Sequence, residues 1–149
     1  MRYPATITSE DDALLASFPD CPGCVTFTRY PGGEGRPIAE EAAEALTGWL
    51  ETHLVLGYVP PRPRRKAQRV RKPGSVMWID VAPSAAIPLT FLWARVDAGL
   101  TQAELAKRAR VARKAVAELE HPDGKPSLET MMRVAKALGM RLGVTLNPQ

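Results

Sequence analysis

Thr101 stands three residues ahead of Glu104, at the head of a stretch carrying Leu105, Ala106 and Ala109. A hydroxyl at that place accepts the backbone N–H of the third helical residue, and the carboxylate there reaches back to the hydroxyl residue's own N–H. Such a capping box fixes a helix start just after residue 101. It also frames the segments on either side. Leu89, Leu92, Trp93 and Val96 recur at helical spacing, so an amphipathic helix precedes the box and ends near Gly99. A short break near Arg110 and Val111 separates the capped helix from one carrying Val116, Leu119 and Glu120, which His121-Pro122 ends. Ser127 is placed to cap a fourth helix through Leu128, Met131, Met132, Val134, Ala135 and Leu138, stopped by Gly139. Leu142, Val144 and Leu146 then alternate with polar or small residues, which predicts a short final strand over 141–146.

The N-terminal half has a different period. Residues 2–8, 13–18 and 25–30 mix β-branched and aromatic residues and read as three strands. Glu10-Asp11-Asp12 and residues 19–23 are the turns between them, and 31–35 is a glycine-rich loop. From Pro37, at the first helical position, the spacing of Ile38, Ala42, Ala45, Leu46, Trp49, Leu50 and Leu54 predicts a helix. Glu40, Glu41, Glu44 and Glu51 occupy its other face, and Gly57 ends it. Pro60, Pro61 and Pro63 open a proline-rich basic connector over 60–75, and residues 76–82 alternate as a further strand. The fold class is therefore α+β: a small βββαβ domain at 1–82, then an all-α domain with its short final strand at 84–149.

Charge divides along the same lines. Residues 1–60 hold three arginines against nine acids, −6; residues 61–75 hold seven cations and no acid, +7; residues 76–149 come to +3. An acidic head and a basic tail imply two partners of opposite charge. No apolar run approaches the roughly 20 residues of a membrane span, and Met1 to Pro4 lacks a secretory h-region, so a cytoplasmic protein without membrane contact is expected.

Cys21 and Cys24 flank Pro-Gly, which reads as a turn between strands. A thioredoxin-like dithiol would sit at a helix N-terminus, and a zinc site would need two further ligands. His53 and His121 lie in unrelated helical contexts, so no metal or other cofactor is expected.

The stretch from Leu100 to Glu120, with the later Pro126 and Leu128 to Gly139, resembles the helix-turn-helix of phage repressors and their Xre-type relatives. By that resemblance Thr101 and Gln102 lie at the DNA backbone. Arg113, Lys114 and Glu118 face base edges, with Ala112 and Ala117 on the same exposed side. Arg and Lys donate to guanine O6 and N7, and Glu accepts from cytosine N4. Two departures stand out. Arg110 replaces the usual glycine and must hold a strained turn, and Ala112 replaces a small hydroxyl residue and has no side-chain cap to offer.

Met1 to Pro4 and Phe18-Pro19-Asp20-Cys21-Pro22-Gly23-Cys24-Val25 resemble the opening of the HicB antitoxins, a family that continues with an acidic, alanine-rich helix. Cys24 matches a common cysteine of that family, and Cys21 replaces a usual leucine. The resemblance implies a degenerate ribonuclease-H-like head without catalysis that sequesters a HicA-type ribonuclease toxin. It implies a tail that represses its own operon by binding operator DNA, in a homodimer or tetramer. Asp11, Asp12 and Asp20 fall in turns and the glutamates crowd one helix, so no carboxylate cluster for a metal nuclease forms and no enzyme is expected. The acidic helix face is the expected landing surface for a basic partner. The rival reading is a stand-alone regulator whose head senses a ligand or redox state through Cys21 and Cys24. A nuclease with a DNA-targeting tail is the third.

Overall fold

A computed structural model describes residues 1–29, 36–64 and 74–144. The chain divides into two compact units, Met1–Ala86 and Ile87–Gln149.

In the first unit, strands β1 (Arg2–Glu10), β2 (Ala13–Ser17), β3 (Val25–Arg29) and β4 (Ser75–Asp80) form one antiparallel sheet in the order β3-β2-β1-β4. Helix α1 (Ile38–Val55) comes between β3 and β4 in sequence. β1 and β2 pair from Thr6–Ser17 to Glu10–Ala13, so β1 runs through Glu10 and only Asp11 and Asp12 make the turn. Asp11 takes φ +49°, a left-handed geometry that a short polar side chain tolerates. The last strand returns beside the first and pairs Arg2 with Asp80 and Ile7 with Ser75. That pairing makes β4 part of the head even though the basic connector precedes it.

Ile38, Ala42, Leu46, Leu50 and Leu54 are buried at every fourth residue of α1, which packs this stripe on one sheet face. Tyr3, Ala5, Ile7, Ala16 and Ile79 supply the sheet's side of the core. Pro37 is the N-cap and not the first helical residue: its backbone is extended, φ −54° and ψ 140°, while its carbonyl already accepts the N–H groups of Glu40 and Glu41.

In the second unit, α2 runs from Pro83 to Asp97 and crosses the boundary between units. It starts ahead of Leu89, where the apolar spacing begins, since Pro83 suits a first helical position and Pro88 still falls early in the helix. Helices α3 (Gln102–Ala109), α4 (Arg113–Leu119) and α5 (Leu128–Ala137) follow. They close around Phe91, Leu105, Ala106, Ala109, Val116, Leu119, Val134 and Ala135. The expected final strand is absent from 141–144, where no strand pairing forms, and Leu146 lies outside the described residues. Alternation alone does not make a strand without a partner edge to pair with.

Candidate nucleic-acid interface

The capping box forms as the sequence requires. The Thr101 hydroxyl accepts the Glu104 backbone N–H at 3.2 Å, and Glu104 accepts the Thr101 N–H at 2.8 Å. The Thr101 hydroxyl also donates to the same carboxylate at 2.8 Å. These bonds hold Glu104 below the usual carboxylate range, with the Thr101 backbone bond the largest cause.

At the other end of α3 the chain turns through Arg110, at φ +55° and ψ 46°. The Val111 N–H reaches the Ala106 carbonyl at 3.0 Å and the Arg110 N–H reaches that of Lys107 at 3.3 Å, a Schellman closure. Helices α1, α2 and α5 close in the same way through Gly57, Gly99 and Gly139, so Arg110 does without glycine what three other helix ends use it for. Ala112 then caps α4 only by its backbone, with no side-chain bond.

Helix α4 buries Val116 and Leu119, which leaves Ala112, Arg113, Lys114, Ala117 and Glu118 exposed together. Lys114 and Glu118 pair at 3.6 Å one turn apart, and among the described residues Arg113 has no ion-pair partner. Lys107, Arg108 and Arg110 add exposed positive charge on α3 and the turn.

The end of α4 is set by a network that sequence reasoning missed. Arg95 on α2 grips Glu120 with Nε to Oε1 at 2.6 Å and Nη2 to Oε2 at 2.8 Å, and donates Nη1 to the Leu100 carbonyl at 2.8 Å. Gln102 Nε2 donates to Glu120 Oε2 at 3.0 Å, so its amide nitrogen is engaged inside the domain. Glu120 is 7% exposed, and its carboxylate holds the Arg95 guanidinium more firmly charged. The sequence offered only a charged residue beside Leu119 and an arginine inside an apolar helical pattern, not their pairing.

Residues 92–144 match the helix-turn-helix family. Over 149 aligned residues the chain is 29% identical to Antitoxin HicB 1 of Photorhabdus laumondii subsp. laumondii, covering 98% of this chain and 87% of that one. The C-terminal part of the chain is thus similar to helix-turn-helix domains, and nearly its whole length is similar to a HicB antitoxin. A chain of a solved HicA3 and HicB3 toxin-antitoxin complex is 23% identical, with a TM-score of 0.44 over 56% of this chain and 100% of that one.

In the head, the Phe18 to Cys24 segment is a tight loop in which the Cys21 N–H bonds the Phe18 carbonyl at 3.0 Å and the Cys24 N–H bonds that of Cys21 at 2.9 Å. Both cysteines are free and buried. Burial pushes the Cys21 thiol up to about 12, with Cys24 and Asp20 adding to it, and the Cys24 thiol up to about 11. Asp20, its side chain only 2% exposed, receives Arg64 twice: the backbone N–H at 2.9 Å and Nε at 2.7 Å. Tyr3 donates its hydroxyl to the Pro61 carbonyl at 2.6 Å. The first residues of the connector are thus fastened to the head, while 65–73 lie outside the described residues. Among the described residues, no three His, Cys, Asp or Glu side chains gather as a metal-binding group, and no helix is long and apolar enough to cross a membrane.

Proposed function

We propose that this chain is an antitoxin that neutralises a small basic HicA-type ribonuclease by direct binding, and represses its own operon through the helix-turn-helix domain. The observation that carries this reading is the exposed row Arg113, Lys114, Ala117 and Glu118 on a buried-core helix, in a chain that aligns with an antitoxin over nearly its whole length. Thr101, Gln102 and Ala112 complete the DNA-facing set, Gln102 through the amide oxygen that its bond to Glu120 leaves free. The head, whose residues 1–60 carry −6, takes the toxin; the tail takes DNA; a homodimer presents two tails to a two-fold operator. The role is binding and not catalysis. Buried thiols raised above their ordinary range speak against a redox-sensing head.

The test is co-expression with the protein of the adjacent short basic reading frame, joined to footprinting of the shared promoter. The expected result is restored growth and a protected palindrome. Growth arrest despite co-expression, with no protected site, overturns the reading.

A further inference from the structure

Among the described residues, the two faces of the N-terminal sheet are covered unequally. Residues directly paired across strands share a face. On the side away from α1, Phe27, Leu15 and Thr8 form one row, and Val25, Ser17, Thr6 and Val76 the next. Phe27 is 61% exposed, Val25 53% and Val76 37%. Trp78, opposite Pro4 in the row beyond, is 41% exposed. A lone exposed apolar residue is ordinary, whereas several on one sheet face mark a surface that something covers.

Beside Phe27 and Leu15 this face ends in a hollow that also includes Glu10, Asp11, Asp12 and Arg29. Among the described residues no cation pairs with any of those three carboxylates. The acidic helix differs. Three of its four glutamates, Glu40, Glu41 and Glu44, converge on Arg36, Glu51 has no ion pair among the described residues, and Asp80 outside the helix is held by Arg2. A carboxylate already neutralised by its own chain offers little field to a visitor; an unpaired one keeps it.

Resting on the antitoxin reading, we propose that the basic toxin docks on this open sheet face. Phe27 enters the toxin as an aromatic anchor, and Glu10, Asp11 and Asp12 meet its cations at the rim. Buried aromatic anchors carry most of the energy of such contacts, while rim charges mainly set encounter rate and salt dependence. The acidic helix, which composition alone favours, is then a bystander.

The experiment titrates the full-length chain calorimetrically with the protein of the adjacent basic reading frame. Phe27→Ser weakens binding at least about tenfold. A triple change, Glu10→Gln with Asp11→Asn and Asp12→Asn, weakens it about threefold and flattens its salt dependence; asparagine keeps the left-handed geometry at position 11. Because the triple change leaves the apolar face intact, it decides the matter even if Phe27→Ser folds poorly. The helix variant Glu44→Gln with Glu51→Gln binds as wild type. If the helix variant loses the toxin while the sheet variants keep it, the docking face is wrong and the antitoxin reading stands. If Phe27→Ser splits a homo-oligomer without touching toxin affinity, a second copy covers this face and the proposal falls. No binding by the wild type overturns the antitoxin reading, and the docking face with it.

Discussion

Arg95 and Glu120 meet through two parallel hydrogen bonds, at 2.6 and 2.8 Å, that join α2 to the residue ending α4. Glu120 is buried, so removing its partner strands a charge and does not simply delete a contact. Arg95→Ala is expected to cost about 3–5 kcal/mol, the range for breaking a buried pair. The double change Arg95→Met with Glu120→Met is expected to cost less than either single change, because no charge is then left unpaired. Urea unfolding of the three variants measures this. A loss below about 1 kcal/mol for Arg95→Ala would class the pair with exposed ones.

Arg110 sits in the left-handed region where the other three closures of this kind hold glycine. For a residue with a Cβ that geometry costs about 1–2 kcal/mol. Arg110→Gly is therefore expected to stabilise the domain by about 1 kcal/mol, and Arg110→Ala, which keeps the Cβ, to leave stability nearly unchanged. Thermal denaturation distinguishes them. Equal midpoints for the two variants would mean the turn carries no strain.

The strained turn was legible through the helix-turn-helix resemblance, in which glycine is usual where Arg110 stands. The uncapped Ala112 was legible the same way, since it replaces a usual small hydroxyl residue. The first three strands were readable from β-favouring composition between turns, and the edge strand β4 from the alternation at 76–82. What a sequence pattern does not carry is long-range pairing. Nothing local says that Arg95 meets Glu120, or that Asp20 in the cysteine loop takes the backbone and side chain of Arg64. Pro83, where α2 starts, lies ahead of Leu89, the first residue of the apolar spacing that marks the helix in the sequence. Leu142 and Val144 alternate with small and polar residues yet form no strand, since alternation does not supply a partner edge.

The thiols give a prediction with a defined sign. In the fold Cys21 and Cys24 hold their protons up to about 12 and about 11, above the ordinary value of 9.0. From pH 9.0 upward the unfolded chain releases protons that the fold retains, so this contribution to stability is complete below that pH. It is lost as pH rises through the folded values. Unfolding free energy is expected to fall between pH 9 and 11 in the wild type, and less steeply in Cys21→Ala with Cys24→Ala. At neutral pH a thiol-alkylating reagent should label neither cysteine until urea opens the head. Labelling at the rate of a free thiol without denaturant would restore the redox-sensing reading.

The last prediction concerns which residues of the exposed α4 face read bases. Lys114 is tied to Glu118 at 3.6 Å, a pair this exposed being worth little and easily traded for DNA. Arg113 has no ion-pair partner among the described residues and breaks no such bond in turning toward a guanine. Arg113→Ala is therefore expected to cost about 1–3 kcal/mol on the operator and to relax specificity at one base pair in each half-site. Lys114→Ala should cost the same or less, since it also frees Glu118. Glu118→Ala removes the acceptor for cytosine and should change the preferred base more than the affinity. Arg108→Gln, on α3, serves as the backbone control: uniform weakening across sequences, with a salt slope reduced by about 0.9 if it touches one phosphate. Competition footprinting over single-base operator variants separates the two patterns. Uniform weakening by Arg113→Ala, with no base pair relaxed, would move that side chain from the groove floor to the phosphates.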